Sequence, residues 1–242
     1  MSNAGRRQSP LANGDCRVVV LVSGSGSNLQ SLIDASAAPA MHTRIVAVIS
    51  NKPNAFALTR AQRAGIATAT LAHGDFDTRE AFDTQLASLI DSYEPDLIVL
   101  AGFMRILSAF FTQKYAGKML NIHPSLLPKY PGLHTHQRAI DAGDDKAGAT
   151  VHFVTGDLDA GPAVVQASVP VFDTDTADTL AARVLIQEHR IYPKAVAWFA
   201  QGRLKYKDGA AWLDEKCLPA QGICLTDRSN ETRADDTHIT LQ

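Results

Sequence analysis

The sequence predicts an α/β protein built on a mostly parallel, twisted sheet with helices on both faces. Three observations support this class. Short runs rich in β-branched residues, such as RVVVLVS at 17–23 and RIVAVIS at 44–50, are typical of buried strands. The segments between such runs show helical spacing of apolar residues. Regular alternation of strand and helix indicates a parallel, Rossmann-like sheet.

The predicted elements follow one another without an internal repeat. Strands are predicted at 17–23, 44–50, 67–71, 96–102 and 118–122. Helices are predicted at 28–35, 56–64 and 78–93. In the 78–93 segment, apolar residues at Phe82, Leu86 and Ile90 would share one face.

The last third of the chain changes character. Strands at 149–155 and 163–171 are separated by a short glycine-containing loop, which favours an antiparallel pair. A helix is predicted at 176–200, and Pro193 should kink or split it because proline removes a donor and clashes with the preceding turn. A small closing hairpin is predicted at 203–207 and 211–213.

Length and composition fit one domain with two tails. The chain has 242 residues, with 45% hydrophobic and 20% charged residues, which is ordinary for a globular protein. Residues 1–15 and 221–242 are polar and lack periodicity, so we expect a disordered leader and a disordered tail. The folded domain is therefore predicted at 16–220.

Several classes of protein are disfavoured. The net charge of −2 gives no reason to expect nucleic acid as a partner, since that usually requires a basic surface. No apolar run approaches the roughly 18 residues needed for a membrane span. Cys16, Cys217 and Cys224 are odd in number and lack a C-x-x-C spacing, which favours a reducing, cytoplasmic location.

Polar residues follow four of the predicted strands. They lie in Gly24–Asn28, in 103–107, in 121–124 and in 157–161. Ligands of open α/β sheets bind beyond the carboxyl ends of the strands. If the four strands are parallel neighbours, these groups converge on one edge and form the site.

The loop Gly24-Ser25-Gly26-Ser27-Asn28 suggests a phosphate site. Glycines let the backbone approach an anion, and the N-terminus of the next helix offers N–H groups. Leu29 stands where a dinucleotide motif has its third glycine, and no G-K-[ST] follows, so one phosphate fits better than a dinucleotide. A plain turn followed by a capped helix is the alternative interpretation.

Asn121 and His123 are the candidate catalytic groups. Alternation along a strand places them on the same side, and Pro124 restricts the backbone of His123. A carboxamide beside an imidazole suits a reaction that builds negative charge on a carbonyl oxygen. No serine or cysteine elbow indicates covalent acyl transfer. The alternative is a histidine with a purely structural role at a strand end.

A carboxylate near His123 would orient its ring and favour its charged form. Asp157 and Asp159 both follow the predicted strand at 149–155, and the residues alone do not choose between them. An acidic surface turn is the other interpretation.

His134 and His136 have a His-x-His spacing that can bind a metal, with His123 and His152 as further possible ligands. Tyr130-Pro131-Gly132 predicts a loop here, and no cysteine or Glu-x-x-His pattern supports a metal. We therefore predict no metal.

The chain resembles the folate-dependent formyltransferases from about residue 17 to about residue 220. The block 121–128 and the Leu158-Asp159 turn are specific to that family, whereas the tract 129–136 resembles its glycinamide ribonucleotide branch. The resemblance also rests on Gly24–Asn28, 101–107 and 148–161.

The resemblance implies roles for individual residues. The catalytic residues would be Asn121, His123 and Asp159. The ribonucleotide would bind at Gly26, Ser27, Asn28 and Glu188. The folate would bind at Arg79, Met104, Arg105, Ile106 and Leu107, with Asn121 and a mobile loop of Thr155, Gly156, Asp157, Leu158 and Asp159. Gly156 departs from the family pattern, because many members carry an acidic residue there.

The implied activity is transfer of the formyl group of 10-formyltetrahydrofolate to the amine of 5′-phosphoribosylglycinamide in purine synthesis. The folate would be a co-substrate, with no tightly bound cofactor, and the partners would be these small molecules. Whether the protein is a monomer or a homodimer stays open. Rival activities are formyltetrahydrofolate hydrolysis, methionyl-tRNA formylation and nucleotide binding without chemistry.

Overall fold

A computed structural model describes residues 14–225 of the chain. Nearly all of the predicted leader and the part of the predicted tail beyond residue 225 lie outside these described residues. Within residues 14–225 no helix is both long and apolar enough to cross a membrane.

Eight strands form one mixed sheet: β1 Cys16–Val22, β2 Thr43–Ser50, β3 Thr68–Thr70, β4 Leu97–Leu100, β5 Met119–His123, β6 Lys146–Phe153, β7 Ala163–Pro170 and β11 Ile223–Leu225. Their order across the sheet is β11-β7-β6-β5-β4-β1-β2-β3. Strands β1 to β5 are parallel, and β6 runs antiparallel to both of its neighbours. The predicted antiparallel strand pair near the C-terminus is therefore confirmed.

A second, small antiparallel sheet closes the described part of the chain. It contains β8 Leu204–Lys207, β9 Ala210–Leu213 and β10 Lys216–Cys217. The hairpin predicted at 203–207 and 211–213 is confirmed. Asp208 and Gly209 form its turn, and both adopt the positive φ that such a tight turn requires.

Six α-helices accompany the sheet in the described residues: α1 Ser27–Ser36, α2 Phe56–Arg63, α3 Arg79–Asp91, α4 Ala109–Lys114, α5 Thr135–Asp141 and α6 Ala177–Ala200. Short 3₁₀ turns lie at Pro39–Met41 and His73–Asp75.

Alternation along the strands divides the core into two clusters, one on each face of the sheet. In β1, Val18 and Val20 face a cluster that includes apolar residues of α1, α2 and α6. Val19 and Leu21 face the other cluster, which includes residues of α3 and α4. Helices thus cover both faces, as predicted.

Helix α6 differs from its prediction. It runs unbroken from Ala177 to Ala200, so the expectation that Pro193 could split it is wrong. Ile191, Tyr192 and Val196 are buried on either side of the proline. Packing against the sheet compensates for the missing backbone donor.

The predicted boundary at residue 220 is too early. Strand β11 pairs in parallel with β7 at Ile223–Leu225, inside the stretch expected to be a disordered tail. Gly222 permits this approach, because a Cβ there would lie 2.5 Å from the carbonyl carbon of Val164. The strand has only three residues, too few to show a period.

Candidate active site

The carboxyl ends of β1, β4 and β5 lie side by side, because these three strands are parallel neighbours. The segments that follow them line a cleft of about 730 Å³. Its lining includes Asn28, Met104, Asn121, His123 and Glu188. The convergence predicted for these strands is therefore observed.

Strand β6 reaches the site by a different route than predicted. It runs antiparallel to β5, so its carboxyl end lies near the start of β5 rather than at the cleft edge. The loop at 154–162 folds back to the cleft. Gly161 makes this possible, because a Cβ there would lie 1.8 Å from the carbonyl oxygen of Phe153.

Asn121 is oriented by a histidine from the neighbouring strand. Its Nδ2 lies 3.1 Å from Nε2 of His152, which is opposite Asn121 in the β5–β6 ladder. The Nδ1 of His152 donates to the carbonyl oxygen of Phe153 at 2.9 Å, so Nε2 is left to accept from Asn121. Burial lowers the pKa of His152, which keeps it neutral and preserves this arrangement.

The imidazole of His123 is held on both edges. Its Nε2 donates to the carbonyl oxygen of Tyr130 at 2.8 Å, and its Nδ1 lies 3.3 Å from Oδ2 of Asp159. A carbonyl only accepts, so Nε2 carries a hydrogen. Protonation of Nδ1 then completes an ion pair with the carboxylate.

Asp159, rather than Asp157, lies beside His123. Its Oδ2 also accepts from the backbone N–H of Gly132 at 2.9 Å, and its Oδ1 lies 3.8 Å from Nε2 of His152. Asp157 lines a smaller neighbouring pocket and not the main cleft. The carboxylate beside His123 is therefore the one that the resemblance implied.

Three residues around the site have left-handed backbones. Asp159 has φ 53°, Tyr130 has φ 56° and His134 has φ 58°. Such conformations are uncommon for residues other than glycine, although aspartate tolerates them. At these three positions the surrounding contacts impose a specific backbone path on the site.

The glycine-rich loop leads into α1 as predicted. Gly26 is the N-cap residue, with φ 73°, and has no side chain with which to cap the helix. The first N–H groups of α1 can therefore face an anion. Nδ2 of Asn28 donates to Oε2 of Glu188 at 2.6 Å, which joins the loop to α6. Burial raises the pKa of Glu188, and the hydrogen bond from Asn28 opposes that rise.

The segment after β4 separates the main cleft from a smaller pocket of about 90 Å³. Arg105 and Ile106 line both cavities, whereas Met104 lines the main cleft and Leu107 lines the smaller pocket. The backbone N–H of Met104 donates to Oγ of Ser23 at 2.8 Å, which fixes the segment to the end of β1. The loop residues Thr155, Gly156, Asp157, Leu158 and Asp159 all line the smaller pocket.

Arg79 lies apart from the other residues of the expected folate set. It is the first residue of α3, lines neither cavity and pairs with Glu80 at 3.5 Å, with nearly half of its side chain exposed. Its expected place near the folate stays a prediction.

His134 and His136 lie at the start of α5 and line the main cleft. The prediction of a loop here missed α5, because Tyr130-Pro131-Gly132 directly precedes it. Across residues 14–225, no group of three or more histidine, cysteine, aspartate or glutamate side chains is arranged to hold a metal ion.

The sequence analysis named His152 only as a possible metal ligand. The structure instead places it between Asn121 and Asp159. The sequence signal for His152 was its polar side chain in the mostly apolar strand ATVHFVT, on the same strand face as Thr150. Only the pairing of β5 with β6 shows what it contacts.

The fold and this arrangement of amide, imidazole and carboxylate define a formyl-transfer enzyme. Residues 16–196 match the Formyl transferase family, and the chain belongs to that family. It is 58% identical over 205 residues to the phosphoribosylglycinamide formyltransferase of Escherichia coli, covering 85% of this chain and 97% of that protein. It is also 45% identical over 202 residues to the human trifunctional purine biosynthetic protein adenosine-3, covering 83% of this chain and 20% of that protein.

Solved structures give the same result. The phosphoribosylglycinamide formyltransferase of Coxiella burnetii superimposes with a TM-score of 0.84 at 48% identity, over 87% of this chain and 99% of that one. The enzyme of the same name from Brucella melitensis has a TM-score of 0.74 at 54% identity, over 77% and 96% of the two chains.

Proposed function

We propose that this enzyme transfers the formyl group of 10-formyltetrahydrofolate to the amine of 5′-phosphoribosylglycinamide during purine synthesis. The products are formylglycinamide ribonucleotide and tetrahydrofolate. The E. coli relative that carries this activity in its name is similar along almost its whole length.

One observation carries the proposal. Asn121 and Asp159 line both the main cleft and the smaller pocket, and His123, which contacts Asp159, lines the main cleft beside them. A reaction between two bound substrates needs its catalytic groups where the two binding spaces meet. The amide and the imidazole supply hydrogen-bond donors at that junction.

The amine nitrogen attacks the formyl carbon, and the carbonyl oxygen becomes an oxyanion. An amide nitrogen carries two hydrogens. Asn121 uses one towards His152, so the other serves the oxyanion. The Nδ1–H of protonated His123 is the second donor and is shared between the oxyanion and the Asp159 carboxylate, which lies 3.3 Å away, because Nε2–H is held by a backbone carbonyl. Losing one such donor costs roughly 100- to 1000-fold in rate.

Collapse of the intermediate breaks the bond between the formyl carbon and N10 of the folate. The attacking amine loses a proton, and N10 gains one. Asp159 lies 3.3 Å from Nδ1 of His123 and, through water, assists this proton transfer.

The two substrates occupy different parts of the site. The ribonucleotide phosphate binds at Gly26, Ser27 and Asn28, where the N-terminus of α1 faces the cleft, and Glu188 contacts the remainder of that substrate. The folate binds against the 104–107 segment and the 155–159 loop, and only part of it enters the smaller pocket of about 90 Å³. The folate is a co-substrate that leaves after each turnover. The proposed location of the protein is the cytoplasm.

Mass spectrometry of the products tests this function. The purified full-length protein is incubated with 10-formyltetrahydrofolate and 5′-phosphoribosylglycinamide. We expect the ribonucleotide to gain the mass of one formyl group as tetrahydrofolate appears. Tetrahydrofolate without a formylated ribonucleotide would contradict the proposal and indicate hydrolysis of the folate.

A further inference from the structure

Arg60 links helix α2 to the glycine-rich loop. Its Nε donates to the carbonyl oxygen of Ser25 at 2.9 Å. Its Nη1 donates to Oε1 of Gln30, in the first turns of α1, at 3.2 Å. The guanidinium therefore contacts the chain on both sides of Gly26, Ser27 and Asn28.

The side chain of Arg60 is fixed rather than free on the surface. Its guanidinium lies 5.0 Å from the centre of the Phe56 ring, a distance typical of cation–π contacts. Its acceptor Gln30 is itself held, because Nε2 of Gln30 donates to Oδ1 of Asp34 at 2.9 Å. Arg60 is half-buried as a result.

Helix α2 is packed tightly against the same loop. The backbone N–H of Ala57 donates to the carbonyl oxygen of Gly24 at 3.1 Å. A Cβ on Gly26 would lie 2.6 Å from the Cβ of Ala57. Arg60 is one turn further along α2 and adds a positive charge to this contact.

We propose that Arg60 is a positioning residue for the phosphate of the ribonucleotide. By binding the Ser25 carbonyl, it turns that dipole towards α2 and keeps the N–H groups at the start of α1 aimed at the cleft. Its charge also favours an anion in the loop. This inference rests on the proposed function, which places the ribonucleotide phosphate there.

Three variants of the full-length protein separate this role from general effects of α2. Arg60→Met keeps the aliphatic stem and removes the charge and both hydrogen bonds. Arg60→Lys keeps the charge and loses the planar fork. Arg63→Met is the matched control, because Arg63 lies on the same helix and 5.9 Å from the same Phe56 ring but is exposed.

Steady-state kinetics with each substrate varied in turn, and calorimetric titration with 5′-phosphoribosylglycinamide, provide the readouts. Loss of a charge-assisted contact to the loop should raise the ribonucleotide KM and Kd about tenfold in Arg60→Met. The folate KM and kcat should stay within about twofold, because the catalytic groups are untouched. Arg60→Lys should fall between Arg60→Met and the unmodified protein, and Arg63→Met should match the unmodified protein.

Unchanged ribonucleotide KM and Kd in Arg60→Met would overturn the inference. An equal rise in Arg63→Met would also overturn it, because the effect would then belong to the charge of α2 as a whole. A parallel loss of kcat and of affinity for both substrates would show a merely structural role. Calorimetry reports on Arg60 without turnover, so failure of the proposed function is seen separately, as an unmodified protein that forms no formylated ribonucleotide.

Discussion

Oδ2 of Asp159 lies 3.3 Å from Nδ1 of His123, and both side chains are more than nine-tenths buried. The strand β5 supplies the imidazole, and the loop after β6 supplies the carboxylate. The contact between the two side chains therefore joins β5 to the loop after β6 at the candidate active site.

Asp159→Asn should lower kcat by about 100-fold, because proton transfer loses its assisting group. Asp157→Asn is the matched control in the same loop, and its effect should be confined to the folate KM. Steady-state kinetics with each substrate varied in turn distinguish the two variants, and an equal loss of kcat in both would contradict the assignment of Asp159.

His123→Ala should lower kcat by roughly 100- to 1000-fold, because one donor to the oxyanion is lost. Affinity for the ribonucleotide should stay near normal, because the phosphate loop lies on other elements. Single-turnover kinetics and calorimetric titration with the ribonucleotide measure the two quantities. Substantial activity in this variant would be incompatible with the role assigned to His123.

Gly26→Ala should raise the ribonucleotide KM and destabilise the protein by about 1–3 kcal/mol. Gly26 has φ 73°, and an added Cβ would lie 2.6 Å from the Cβ of Ala57. Gly24→Ala is the control, because an added Cβ there meets no atom within 4 Å. Kinetics and chemical denaturation compare the variants, and equal effects at both glycines would show that the contact with α2 is unimportant.

Glu188→Gln should stabilise the protein at pH 7 while weakening ribonucleotide binding roughly tenfold. Burial raises the pKa of Glu188 above its ordinary value of 4.5, so the folded state holds the proton more tightly than the unfolded state. Stability is therefore lost as pH rises above 4.5 through the folded pKa. The gain in the glutamine variant should vanish below about pH 4.5.

Denaturant unfolding of both proteins at pH 4 and pH 7 measures this difference. A glutamine variant that is less stable than the unmodified protein at pH 7 would show that the ionised carboxylate contributes favourably through Asn28.

Gly161→Ala should remove most of the activity, because the added Cβ would overlap the carbonyl oxygen of Phe153 and displace the loop that carries Asp159. Gly156→Ala should cause a far smaller loss, since the nearest atom to its Cβ is Oγ1 of Thr112 at 3.9 Å. The measurement is kcat/KM for the folate. Similar losses at the two glycines would disprove this account of how Asp159 reaches His123.

The sequence predicts the fold where local patterns are strong. The β-branched runs of β1 and β2 and the amphipathic pattern of α3 gave those elements within two residues of their observed ends. Helix α4, with six residues, and strand β11, with three, are too short to show a period. The continuity of α6 through Pro193 depends on tertiary packing, which local propensity does not contain.

The candidate site was predictable to the extent that it follows strand ends. Gly26, Asn121 and His123 lie where the parallel strands β1 and β5 place them. The approach of Asp159 depends on a loop that folds back from an antiparallel strand, which strand order along the chain does not determine. The contact between His152 and Asn121 likewise depends on the register of β6 against β5.

The most direct test of the central claim follows tetrahydrofolate formation by absorbance, with 10-formyltetrahydrofolate present and 5′-phosphoribosylglycinamide added or withheld. The account predicts turnover only when the ribonucleotide is present. Equal turnover in its absence would contradict the account, because water rather than the amine would then be the acceptor.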